Sequence, residues 1–251
     1  MSLFLHNQHF PQSFLCFLIF LIFKVISVSG ATFTFTNKCD YTVWPGIYGK
    51  PELGTTGFEL TKATTRTFQA PTGWSGRFWG RTGCQFDSTG HGTCSTADCG
   101  SGEISCNGAT ASPPATLAEF TLGTGSMDFY DVSLVDGYNL PMMVTTSGGT
   151  GSCEVTGCSS DLNLKCPSEL KVEGGGACNS ACGAFGKPEY CCNGALKSAA
   201  DSSTNNTKGM GSGSRGGSGQ SELANDSWMA YMATASGAST TTFPLLLVVK
   251  E

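Results

Sequence analysis

Cysteine constrains this chain more than any other residue type. Thirteen cysteines among 251 residues are too many for an ordinary cytosolic protein and imply either metal sites or an oxidised, secreted chain. Histidine is scarce, with only His6, His9 and His91, which disfavours Cys/His zinc sites, so no metal and no cofactor is expected. The N-terminus points to secretion. Phe14 to Phe23 is an unbroken apolar run of ten residues, too short to span a bilayer but of the length of a signal-peptide core. Val28-Ser29-Gly30 supplies small residues for cleavage after Gly30, so residues 1–30 read as a signal peptide. No Lys or Arg precedes the run, and a signal anchor is the weaker alternative because Lys24 interrupts the apolar stretch. Loss of Cys16 with the signal leaves twelve cysteines for disulfides.

The rest of the composition selects short strands and turns. Charged residues make up only 13%, and there are 34 glycines and 10 prolines, which argues against a helical bundle. A net charge of −5 excludes a nucleic-acid binder that relies on phosphate neutralisation. Residues 31–36 (ATFTFT) alternate apolar and polar, the period of a half-buried strand. Tyr41–Trp44, Thr64–Phe68, Arg77–Arg81, Leu117–Leu122, Phe129–Val135 and Leu140–Val144 read as further strands. Asp136-Gly137 between the last two is a type I′ hairpin signal. Residues 82–115 form a Gly/Cys/Ser/Thr-rich excursion stapled by cysteines, and a short helix is expected from Ser168, after Pro167. From 195 to 242 the chain reads as a Ser/Gly-rich linker with glycosylation sequons at Asn205 and Asn225. Residues 243–251 are an apolar tail too short for a membrane span.

Residues 90–106, GHGTCSTADCGSGEISC, place three cysteines and a Thr-Ala-Asp-Cys core among glycines. This resembles the signature of the thaumatin-like family, plant pathogenesis-related group five. NKCDYTVW (37–44), WGRTGC (79–84), ATLAEFTL (115–122), DFYDVSLVDGYNLP (128–141), CPSELKV (166–172) and YCC (190–192) are similar to family blocks in the family's order. The resemblance covers residues 31–194. It implies a mainly β, thaumatin-like β-sandwich with disulfide-rich loops. It also implies a secreted, extracellular role in plant defence, often antifungal, with a cleft that binds β-1,3-glucan or fungal cell-wall polysaccharide. A minority of members hydrolyse that glucan weakly. Carried over block by block, the cleft residues are Arg81, Glu119, Asp131 and Asp136. The implied disulfides are Cys84–Cys94, Cys99–Cys106, Cys166–Cys178 and Cys182–Cys191.

The residues themselves support an acidic cleft in part. No Lys or Arg falls between Arg81 and Lys165, while nine carboxylates do, and charge of one sign over one region creates a field at a concave surface. Asp131 sits among Phe129, Tyr130 and Val132, so partial burial would raise its pKa. A raised carboxylic acid near an ionised carboxylate is what glycoside hydrolysis requires, which makes Glu119 and Asp131 the catalytic candidates. Structural readings stand beside these. Asp136 before Gly137 is an ordinary turn residue, Arg81 can simply tie two strands together, and Glu119 has the parity of a solvent-facing position. Asp98 reads as a loop-capping residue, and Trp44, Phe78 and Trp79 as core aromatics.

The chain also departs from the family it resembles. Members usually continue after the Cys-Cys pair with a segment carrying four further cysteines, a third cleft Asp and the closing strands. Here a Ser/Gly stretch follows Cys192 almost at once. Residues 225–233 (NDSWMAYMA) resemble the tail of longer, membrane-anchored members, although anchoring is not expected in this form. Cys39, Cys153, Cys158 and Cys192 are thereby left without family partners, and the fold is expected to be incomplete at its C-terminal end. Three functional readings result: a defence module that binds glucan, a weak endo-β-1,3-glucanase, and a non-functional truncated isoform.

Overall fold

The computed structural model describes residues 30–125, 127–152, 155–191, 235–238 and 242–247. Signal peptide, sequons, Cys153 and Cys192 lie outside these residues. The alternation read at residues 31–36 builds β1 (Gly30–Asn37), which buries Phe33 and Phe35 completely. Its threonines take the outer face, where Thr34 and Thr36 share hydroxyl hydrogen bonds with Thr67 and Thr65 of β3 (Thr65–Pro71).

Two sheets form a sandwich. The first also contains β9 (Met142–Val144), β11 (Thr156–Cys158) and β13 (Thr242–Leu247), in the order β11-β9-β13-β1-β3. The second contains β2 (Trp44–Lys50), β4 (Ser75–Arg81), β7 (Leu117–Thr121), β8 (Met127–Ser133), β10 (Thr150–Ser152) and β12 (Ala235–Ala238), in the order β10-β12-β8-β7-β4-β2. A two-stranded ribbon, β5 (Gln85–Phe86) with β6 (Gly92–Thr93), lies in the cysteine-rich excursion. The core between the sheets is aromatic. Phe78 of β4 lies 4.8 Å from the ring of Phe33, 5.0 Å from Phe35, 5.2 Å from Trp74 and 5.4 Å from Phe120. The Phe33 and Phe35 pairs are edge-to-face, the Trp74 pair is stacked and the Phe120 pair is tilted; edge-to-face and offset-stacked pairs add about 0.5–1.5 kcal/mol each to the burial of their surface.

The structure corrects several expectations. The strand expected at Tyr41–Trp44 begins only at Trp44 and runs on through Pro45; β2 is an edge strand, where a missing amide donor is tolerated. No hairpin forms at Asp136-Gly137. The flanking strands β8 and β9 belong to different sheets, so the turn, closed by Gly137 N–H donating to Leu134 O at 2.9 Å, carries the chain between layers. The helix expected from Ser168 is a turn, with the amides of Leu170 and Lys171 both donating to Pro167 O, because Lys171 is drawn into a bridge with Cys178. Helices lie instead at α1 (Ala181–Phe185), capped by the Ser180 hydroxyl and stopped by Gly186 at φ 63°, and α2 (Pro188–Cys191), with a 3₁₀ turn at Leu162–Lys165. The span expected as linker and free tail supplies two strands. β13 lies parallel to β1 and antiparallel to β9, and β12 is antiparallel to β8 and β10. The backbone of β13 thereby pairs edges of β1 and β9 that would otherwise lie open.

Four disulfides are present among the described residues: Cys84–Cys94, Cys99–Cys106, Cys166–Cys178 and Cys182–Cys191. Cys39 and Cys158 carry free thiols, the first buried and the second half-buried. Burial pushes the Cys39 thiol from its ordinary 9.0 up to about 11, and also raises the phenols of Tyr41 and Tyr138. Each of these groups loses its proton later in the folded than in the unfolded chain. Their stability contribution is therefore present below the unfolded Cys pKa and is lost as pH rises through the folded values. Tyr41 contributes less than the others, since 42% of its surface is exposed. The urea midpoint is expected to hold between neutrality and about pH 8.5 and to fall above it. A midpoint that stays level to strongly alkaline pH would contradict this account. In the native protein at pH 8, iodoacetamide should label Cys158 readily and Cys39 only after unfolding.

Candidate functional site

Strand register assembles the site. Tyr48 of β2 lies opposite Arg77 of β4, Arg77 opposite Glu119 of β7, and Glu119 opposite Asp131 of β8. Four neighbouring strands thus present one straight row, Tyr48–Arg77–Glu119–Asp131, on the outer face of the second sheet. Two residues further along the same strands, Ser75, Thr121 and Phe129 form the adjacent row on the same face. The two rows line a shallow depression of about 230 Å³. Tyr48 stands at one side, 38% exposed, and Phe129 at the other, 49% exposed.

The charges within the row are unequal. Arg77 Nη2 lies 3.2 Å from Glu119 Oε1, an ion pair across two strands. Asp131 is pushed above the usual carboxylate range, chiefly by its partial burial and then by the charge of Glu119 across the strand pair. The guanidinium of Arg77 donates hydrogen bonds and the carboxylates beside it accept them, so donors and acceptors stand at the same place.

Arg81 does not belong to this row. It shares the parity of Arg77 but is fully buried. Its Nε donates to Trp44 O at 3.0 Å, Nη1 to Glu103 O at 3.3 Å and Nη2 to Ile104 O at 2.5 Å. The guanidinium thus ties the excursion of residues 82–115 down onto the sheet. Burial lowers its pKa to about 10, while Asp98 nearby acts in the opposite direction. Trp79, between the two arginines, is covered by the same excursion, packed with Ala97, Cys99, Cys106, Ala115 and Leu117. Of the other expected site residues, Glu119 and Asp131 come together, while Asp136 is not among the residues lining the depression. Its backbone carbonyl accepts from Ala115 N–H at 2.9 Å. Arg77, Tyr48 and Phe129 were not singled out from the sequence. Parity was the available signal: Arg77, Trp79 and Arg81 all leave β4 on one face, and Glu119 and Asp131 face the same way.

No group of three or more His, Cys, Asp or Glu side chains suited to a metal ion occurs among the described residues. No helix among them is long and apolar enough to cross a membrane.

Comparison with known proteins places this architecture. The model of the Thaumatin family matches residues 37–212. The chain belongs to the thaumatin family. Thaumatin-like protein 1 of Arabidopsis thaliana is 58% identical over 195 residues, covering 73% of this chain and 75% of that protein. Pathogenesis-related protein 5 of the same plant is 54% identical over 176 residues, covering 68% and 72%. A Prunus avium relative named glucan endo-1,3-beta-glucosidase is 52% identical over 179 residues, covering 67% and 73%. The relatives place the chain among thaumatin-like pathogenesis-related proteins.

The two arginines of this thaumatin-family chain should respond differently to removal. Arg81→Ala leaves several buried carbonyls without a donor and is expected to cost about 3–5 kcal/mol in chemical denaturation, the range for breaking a buried charged network. Arg77→Ala removes a pair that is one third exposed on either side (37% and 34%), and is expected to cost under about 1 kcal/mol. Equal losses would refute this division of roles.

Proposed function

We propose that this chain is a secreted plant defence protein that binds β-1,3-glucan, or the fungal wall polysaccharide containing it, along the row Tyr48–Arg77–Glu119–Asp131. The observation that carries the reading is the row itself, an open line of donors and acceptors across four strands with exposed aromatic rings at both sides. A glucan is neutral, hydroxyl-rich and extended. Its hydroxyls donate to Glu119 and Asp131 and accept from Arg77. The C–H faces of its rings pack on Tyr48 and Phe129, where removal of apolar area from water contributes to binding. Secretion is supported by the apolar run of Phe14–Phe23 and by four disulfides, which persist in an oxidising compartment.

A second reading, weak endo-β-1,3-glucanase activity, is favoured by the cross-strand carboxylates. Asp131, with its raised pKa, would protonate the leaving oxygen, and Glu119, on the neighbouring strand, would face the anomeric carbon. The relative named as a glucanase adds to this reading.

Retention of the secreted protein on insoluble β-1,3-glucan, measured beside reducing-sugar release, tests both. Glu119→Gln combined with Asp131→Asn is expected to weaken retention by about tenfold, equivalent to about 1.4 kcal/mol, with little change in melting temperature. Asp136→Asn should retain full binding. If sugar is released, the rate should fall as pH rises through the raised pKa of Asp131, because the acid must hold its proton. Full retention by the folded double variant would refute the cleft as the binding site.

A further inference from the structure

A larger cavity, about 750 Å³, lies at the other end of β2. The spacing of Trp44 and Tyr48 sets the separation from the acidic row: the two residues are four apart on one strand, about 13 Å, and face the same way. Trp79 and the disulfide-stapled excursion fill the ground between them. The volume is that of a small-molecule site rather than of a packing defect.

The lining identifies a ligand class. Lys38 and Lys62 face Asp40 and Asp161, so the cavity carries no net charge and selects neither an anion nor a cation. Tyr41, 42% exposed, and half-buried Trp44 supply aromatic surface. Two polar atoms of lining residues are buried without a partner in the protein, Trp44 Nε1 and Asn163 Oδ1. The Asn163 amide is held by its nitrogen, which donates to Asn139 O at 3.0 Å and Gly176 O at 3.3 Å, so the oxygen is its unused end. An unpaired buried donor and an unpaired buried acceptor are each costly to leave unsatisfied. A hydroxyl satisfies both kinds of atom.

We propose that this cavity is a second saccharide site, taking a short neutral oligosaccharide whose ring stacks on Tyr41 and whose hydroxyls reach Trp44 Nε1 and Asn163 Oδ1 after a small shift of the wall side chains. The inference does not rest on the reading of the acidic row, from which it is separated by the excursion.

The full chain labelled with 5-fluorotryptophan tests it, with the Trp44 resonance assigned by its loss in Trp44→Phe. Laminaritetraose should shift the Trp44 resonance saturably and leave those of Trp74 and Trp79, both fully buried, in place. The shift should persist in Glu119→Gln/Asp131→Asn, and Tyr41→Ala should weaken it by about tenfold. Three results would overturn the proposal: a Trp44 resonance unmoved by laminaritetraose or cellotetraose in the unsubstituted chain, a shift that disappears in the double variant of the acidic row, or tighter binding of the anionic tetragalacturonate. The unsubstituted chain and the acidic-row variant decide the matter even if Tyr41→Ala fails to fold. Loss of glucan retention in the acidic-row variant together with an unchanged Trp44 shift would support both sites separately.

Discussion

Everything in this molecule is referred to Phe78. Its ring is met by Phe33 and Phe35 from the first sheet, by Phe120 from its own and by Trp74 from the turn that leads into β4, so it fixes β4 both in position and in rotation about its axis. A strand alternates strictly, so Phe78 pointing inward obliges Arg77, Trp79 and Arg81 to point outward. Those three outward residues then meet three environments. Arg77 meets solvent and Glu119, Trp79 meets the underside of the excursion, and Arg81 is enclosed as the peg that holds the excursion down. The same constraint explains why Gly46 is needed on β2: a Cβ there would come within 2.2 Å of the Trp79 indole.

The disulfide-rich excursion therefore has a positional role as well as a stabilising one. The outer face of the second sheet is not uniformly polar, since Trp79 and Leu117 stand on it beside Arg77 and Glu119. Left open, such a face would be an exposed apolar patch of the kind that marks interfaces or drives aggregation. The excursion covers the apolar row and stops short of the charged one. Bridges Cys84–Cys94 and Cys99–Cys106 let a segment with few apolar residues hold a defined shape over that row.

How much of this was legible depends on how local the cause is. β1 was readable because Phe33 and Phe35 alternate with threonines, and that period alone decides the strand. Glu119 and Asp131 were readable as neighbours only through the family blocks that contain them. The choice between Arg77 and Arg81 was not readable. Both have the same parity and the same chemistry, and what separates them is which one the excursion covers, a contact made with residues such as Glu103 and Ile104 more than 20 positions away. The loss of the expected hairpin at Asp136-Gly137 has a similar origin. The dipeptide encodes a turn, and the assignment of its flanking strands to different sheets is a property of the whole fold. The strands β12 and β13 were hidden for another reason: the five apolar residues that follow Thr242 in β13, Pro244 among them, have no periodicity that distinguishes a tail from a strand.

Thr32 of β1 pairs with Thr242 of β13, so the first sheet joins residues at positions far apart in the chain. The first sheet cannot be completed by any partial product of synthesis. Until Thr242–Leu247 emerges, β1 has β3 on one side and an open edge on the other, and β9 waits with it. A contact of such long range forms slowly, because the loop it closes must be ordered before any pairing is gained. Until that pairing forms, β1 and β9 each present an open edge, the feature that makes a partly folded β domain prone to pair with other chains.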